Sequence, residues 1–101
     1  LPTQNARRGT LFTSKGKIKI LNKKFEFDTN PIDKKCNCFV CKSYTNSYIR
    51  FLLKEDEPLG KQLASYHNIY YINDLINQAK KAIRNKSLKK LRDKIKNIYK
   101  K

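Results

Sequence analysis

The six residues from Cys36 to Cys41, CNCFVC, decide how the chain is read. Thiols at C-x-C-x2-C spacing can all turn inward from one tight turn toward a tetrahedral centre, and sulfur and nitrogen donors in that arrangement suit zinc. A fourth ligand is needed, and the chain has a single histidine, His67, 26 residues after Cys41 on what reads as a helix. Sulfurs from a knuckle and a nitrogen from a helix would tie two elements together. Four protein ligands leave no open position for water, so the expected ion is structural rather than catalytic. Three cysteines packed within six residues suit a metal site in a reducing compartment better than a disulfide framework. The competing reading is three buried free thiols and a surface histidine beside a tyrosine cluster.

Upstream of the knuckle, TLFTSKGKIKIL (Thr10 to Leu21) alternates around Ser14-Lys15-Gly16, with Ile18 and Ile20 on one side and Lys17 and Lys19 on the other, the pattern of a hairpin. Residues 22–35 are mixed: Phe25 and Phe27 are available to pack, Asn30-Pro31 marks a turn, and irregular structure or a short strand is expected. The opening LPTQNARRG reads as a loop. Downstream, SYTNSYIRFLLKED carries apolar residues at helical spacing. Pro58 after Asp56-Glu57 starts a second helix, expected to run to about Lys86, whose first turn Gly60 weakens. Its apolar ridge, from Leu59 through Leu63, Tyr66 and Tyr70 to Ile83, is broad enough to suggest burial on more than one side. Ser87 can cap a third helix with a stripe of Leu88, Leu91, Ile95, Ile98 and Tyr99.

The chain has 101 residues, begins with Leu1 and is read as a piece of something longer, a single small domain at most. A core this size leaves a modest margin, which makes a metal staple useful. Lysine and arginine total 24 against 8 acids, and the resulting +16 steers the chain toward phosphate or anionic surfaces. Eleven of the basic residues fall between Ala79 and Lys101, opposed by Asp93 alone. A coding bias toward A and T is the bland explanation of the lysines. No window offers the roughly 18 apolar residues of a membrane helix and no signal segment opens the chain, so a cytoplasmic location without membrane contact is expected.

The spacing C-x-C-x2-C followed by 25 residues and His resembles the zinc site of the tRNA-guanine transglycosylase (queuine tRNA-ribosyltransferase) family. PTQNARRGTLFT, GKIKILNKKFEFDTNPID, SYIRFLLK and LGKQLASYHN are similar to family text as well, so the resemblance covers nearly the whole chain. It implies a glycosyltransferase built on a (β/α)8 TIM barrel, which exchanges guanine at the anticodon wobble position of tRNA for queuine or its deazaguanine precursor. A complete barrel needs about 250 residues, so this chain holds only a C-terminal part of one. The fold expectation is thus an α+β fragment: a short β-hairpin, a zinc knuckle and three helices. Its expected divisions are 1–9, a loop following a barrel strand; 10–70, the zinc-binding subdomain; and 71–101, C-terminal helices packing on the barrel.

In the family the nucleophilic aspartate lies just before the motif that begins here with Leu1-Pro2-Thr3, and the other reacting and base-recognising groups lie earlier still. No catalytic residue is therefore nominated, and the chain alone is expected to be inactive; Asp28, Asp33, Asp56, Asp74 and Asp93 are read as solvent-facing or capping groups. The resemblance implies contact of PTQNARRG with the tRNA anticodon loop. Arg7 stands where the family usually has arginine, whereas Gln4 departs from the usual arginine, a loss that Arg8 can offset; the competing reading is a solvated loop. It also implies a homodimer using an aromatic cluster, matched by Tyr44, Tyr48 and Phe51 at i, i+4 and i+7, unless that strip packs inward. One structural zinc per chain, on Cys36, Cys38, Cys41 and His67, completes the expectation. The alternative function is a stand-alone zinc-knuckle RNA-binding module.

Overall fold

The computed structural model describes residues 2–84 and 86–99. Leu1 of the opening segment, Asn85 near the end of the long helix, and Lys100 and Lys101 of the basic C-terminal run lie outside the described residues. The elements are α1 (Pro2–Arg7), β1 (Thr10–Thr13), β2 (Gly16–Lys19), a 3-10 turn (Lys23–Phe25), α2 (Phe39–Ser43), α3 (Asn46–Lys54), α4 (Pro58–Arg84) and α5 (Leu88–Ile98). Among the described residues no helix is long and apolar enough to cross a membrane.

The hairpin forms where the alternation places it, with Thr10 opposite Lys19 and Thr13 opposite Gly16. Ser14 and Lys15 keep ordinary negative φ, so Gly16 takes the positive φ of 115° that the reversal needs. Of the irregular structure or short strand expected after it, the segment takes the irregular form, with a 3-10 turn that buries Phe25 and leaves Phe27 84% exposed.

The opening loop is corrected. Residues 2–7 form a helix, because proline is pre-organised for a first helical position and Ala6 is small enough to pack, fully buried, in the core beside α4. Gly9, at φ 85°, then turns the chain into β1. Among the described residues five α-helices therefore replace the three expected, the other addition being α2 inside the cysteine segment.

α3 begins at Thr45, whose hydroxyl accepts from the Tyr48 amide, and buries Ile49 and Leu52. It ends in a Schellman turn, with Glu57 N–H bonded to the Leu52 carbonyl and Asp56 N–H to that of Leu53, and Asp56 in the left-handed region at φ 56°. α4 doubles back across it. A Cβ on Gly60 would stand 2.7 Å from that of Leu52, so the glycine that weakens the first turn is what lets the two helices touch. The core cluster joins Ala6, Leu11, Ile20, Val40, Ile49, Leu52, Leu63 and Ala64.

Much of the apolar ridge of α4 does not pack in this chain. Tyr66, Ile69, Ile76 and Ile83 are exposed, and the residues α4 buries are Gly60, Leu63, Ala64, His67, Asn68 and Ala82. α4 also runs unbroken through positions 70 and 71. α5 follows at a second Schellman turn, Ser87 N–H to the Ala82 carbonyl, with Lys86 at φ 56°. Ser87 occupies the N-cap position without donating or accepting a side-chain capping bond. The far end of α5 is fixed by Tyr99, whose hydroxyl donates 2.7 Å to the Thr13 carbonyl and lies 2.9 Å from the Tyr71 hydroxyl.

Candidate metal centre

Local backbone geometry gathers the cysteines. Asp33, only 7% exposed, ties the knuckle to the hairpin turn: its carboxylate accepts from the Ser14 amide at 2.8 Å, the Ser14 hydroxyl at 3.0 Å and the Lys35 amide at 3.0 Å. It is thus a buried capping group rather than a solvent-facing one. The Cys36 amide bonds to the Asp33 carbonyl, and Cys38 then caps α2, its sulfur accepting from the Cys41 amide at 3.3 Å. One helical turn separates Cys38 from Cys41, so both sulfurs reach the same side of the knuckle.

α4 supplies the fourth donor. His67 Nδ1 lies 3.8 Å from Cys36 Sγ, 3.5 Å from Cys38 Sγ and 3.3 Å from Cys41 Sγ. All four ligand atoms lie within 4.8 Å of one another, and His67, Cys38 and Cys41 are buried. An ion held at about 2.1 Å from nitrogen and about 2.3 Å from sulfur sets N and S roughly 3.6 Å apart at tetrahedral angles. The four residues predicted as ligands are therefore brought together with the dimensions of a tetrahedral metal site.

The ring's other nitrogen fixes its tautomer. His67 Nε2 is 2.7 Å from the Phe12 carbonyl, which can only accept, so Nε2 carries a proton and Nδ1 is the nitrogen turned toward the sulfurs, the one that a bound cation would take as ligand. Burial opposes a charge on the imidazole, yet the hydrogen bonds of Cys36 and Cys38 and of the Phe12 carbonyl outweigh it and hold the pKa up to about 9. Among the thiols, hydrogen bonds from Cys36 and Cys41 pull Cys38 well below the usual thiol range, while Cys36 and Cys38 push Cys41 up. The cluster thus favours negative charge at Cys38 beside the imidazole, and a bound cation would stabilise thiolate ligands there.

Asn68, fully buried next to the ligand, was not singled out in the sequence. Its amide oxygen accepts from the Phe12 N–H at 3.1 Å and its amide nitrogen donates to the Thr10 carbonyl at 3.0 Å. His67 and Asn68 together fasten the open edge of β1 to α4. An asparagine, a poor helix former, inside a long helix beside the only histidine was the available signal.

The remaining predicted residues lie elsewhere. Gln4 and Arg7 are on α1 and Arg8 in the turn after it, all exposed, with Gln4 one helical turn before the arginines. Tyr44, Tyr48 and Phe51 do not share a helix, which corrects the i, i+4, i+7 reading: Tyr44 sits between α2 and α3 in extended backbone. Its ring nevertheless stacks on Tyr48 at 5.6 Å and meets Phe39 edge-on at 5.8 Å. Phe39, Tyr48 and Phe51 are exposed, and Phe39, lying between two metal-site cysteines, extends the aromatic surface beyond the residues read from sequence.

A hairpin clamped to a long helix beside a closed cluster of three cysteines and one histidine defines a small α+β unit of the metal-knuckle class, with four protein donors and no position designed for water. Comparison with known proteins carries this further. The family profile described as Queuine tRNA-ribosyltransferase matches residues 1–101, and the chain belongs to that family. It is 44% identical over 93 residues to the Queuine tRNA-ribosyltransferase of Fusobacterium nucleatum subsp. nucleatum, covering 92% of this chain and 25% of that protein. The protein of that name from Latilactobacillus sakei subsp. sakei is 46% identical over 93 residues, with 92% and 24% covered. That from Bacillus subtilis is 44% identical, again with 92% and 24% covered. The chain spans about a quarter of the length of these relatives.

Proposed function

We propose that this chain is the zinc-binding C-terminal part of a tRNA-guanine transglycosylase, which exchanges guanine at the anticodon wobble position of tRNA for queuine or its deazaguanine precursor. The observation that carries the reading is the closed Cys36, Cys38, Cys41 and His67 cluster inside a chain that matches the family from end to end. Zinc is the ion that three thiolates and one imidazole favour at tetrahedral geometry, and it acts here by holding the knuckle to α4. The other roles follow the same reading. Arg7 and Arg8, exposed like Gln4, are read as contacts for the anticodon loop, and their exposure supports that reading. The exposed rings of Tyr48 and Phe51, with Tyr44 stacked beneath, suit a subunit contact. The exposed side chains of α4, among them Ile69, Ile76 and Ile83, suit packing against the rest of a (β/α)8 barrel.

Metal analysis and base exchange test this together. Prepared without chelators, the full-length enzyme is expected to hold one zinc per chain and to incorporate labelled guanine into tRNA, and Cys38→Ala is expected to lose the zinc. Cobalt(II) loading gives a check that does not depend on the variant folding. A tetrahedral centre of three sulfurs and one nitrogen produces intense visible absorption, whereas weak octahedral bands would sink the assignment.

A further inference from the structure

The basic residues are not spread as a coding bias would spread them. Eleven of 24 fall in residues 79–101 with one acid, and the other 13 share 78 residues with seven acids. The structure gathers part of this cluster around one feature, a shallow groove of about 330 Å³ between the end of α4 and the start of α5, lined by Lys81, Ser87, Lys90 and Lys94 and by no acidic residue. All three lysines are exposed, and the Ser87 hydroxyl makes no capping bond with the helix it precedes. Lys86, at the turn beside the groove, occupies a left-handed position, φ 56°, where glycine is usual. A strained residue at a surface turn points to a use for its side chain.

We propose that this groove holds the phosphate backbone of the tRNA outside the anticodon loop, as a sequence-independent second grip. The inference rests on the transglycosylase reading. A membrane surface is the other anionic partner, but an amphipathic helix binds lipid with its apolar stripe. Most of that stripe is engaged here: Leu91, Ile95 and Ile98 are half-buried against the chain and Tyr99 is bonded to Thr13, which leaves Leu88 as its exposed member. The exposed side of α5 is mainly cationic, with Leu88 and Asp93 among its exceptions, and it offers charge to phosphates with little apolar surface to insert. From Asn68, which clamps the strand after Arg7 and Arg8, to Lys81 is about 20 Å along α4 at 1.5 Å per residue, which separates this grip from the arginines.

The test uses the zinc-loaded protein with Lys81, Lys90 and Lys94 all changed to glutamine, which removes charge and keeps helix propensity. Binding of a whole tRNA transcript and of its isolated anticodon stem-loop is measured against salt. The expected result is weaker binding of the transcript, with a log–log salt slope shallower by about 2–3, and unchanged binding of the stem-loop. The corresponding triple arginine variant should retain the full slope. Equal losses on both RNAs would put the groove on the loop and overturn the placement. No loss on either, with Arg7→Ala still weakening both, would overturn the second grip and leave the transglycosylase reading intact. Failure of the unmodified protein to bind tRNA would instead remove that reading. Wild-type binding to phosphatidylglycerol vesicles that the glutamine variant loses, with tRNA binding unchanged, would reassign the groove to membranes.

Discussion

His67 and Asn68 divide the labour of one helical turn: the imidazole faces the sulfurs with Nδ1 and the Phe12 carbonyl with Nε2, while the neighbouring amide satisfies Phe12 N–H and Thr10 C=O. Removing the amide leaves two part-buried backbone groups without that partner, each worth about 1–3 kcal/mol when orphaned. Asn68→Ala is therefore expected to cost about 2–4 kcal/mol in urea unfolding. The Phe12 amide should also lose hydrogen-exchange protection before the centre of α4 does. Unchanged Phe12 protection would show that the strand is held by the hairpin alone. Lys86 carries the opposite prediction. An L-residue in the left-handed region costs roughly 1–2 kcal/mol, so Lys86→Gly should raise stability by about 0.5–1 kcal/mol once the extra unfolded-state entropy of glycine is counted. A loss of stability would mean that the lysine side chain holds the turn.

At the level of elements, the crossing of α3 and α4 is set by the absence of one side chain. Alanine is a better helix former than glycine by about 1 kcal/mol, and in an isolated helix Gly60→Ala would be stabilising. Here the new methyl meets Leu52 Cβ at 2.7 Å and the Leu52 and Leu53 backbone at 3.0 Å, so the helices must part. Overpacking of this kind costs about 1–3 kcal/mol, and the expected outcome is net destabilisation, read as a lower urea midpoint with helicity retained. Stabilisation by Gly60→Ala would show that α3 can slide freely along α4.

For the whole molecule, an ion on Cys36, Cys38, Cys41 and His67 would cross-link parts of the chain that lie far apart in sequence. Without it, the knuckle and α4 would be joined by packing around Val40, with no coordinate bonds between them. Stripping zinc with a chelator is expected to lower the unfolding midpoint by at least about 10 °C, at roughly 4–8 °C per kcal/mol for a domain of this size. A midpoint that ignores chelation would make the cluster dispensable to the fold. At the aromatic surface, Tyr48→Ala with Phe51→Ala is expected to weaken dimers by about tenfold or more in sedimentation, with zinc content unchanged, since exposed aromatic anchors contribute on the order of 2 kcal/mol each. Unaltered sedimentation would leave the aromatic surface for another partner.

The sequence by itself determined the hairpin, the three longer helices and the four residues that meet in the candidate metal cluster. Alternation, proline and serine positions and thiol spacing are local signals, and His67 is the chain's only histidine. Tertiary structure decided what depends on neighbours distant along the chain. PTQNAR carries no apolar stripe of its own and became a helix because Ala6 fits the core beside α4. Phe25 and Phe27 look alike in sequence, yet only the 3-10 turn carries Phe25 inward. Tyr44 joined the aromatic surface by stacking across a helix break rather than by helical spacing, and Asn68 acquired its role only when β1 was laid against it. The physical reason is the same in each case: periodicity records which face of a segment is apolar, whereas unsatisfied backbone groups and close approaches exist only once two segments have met.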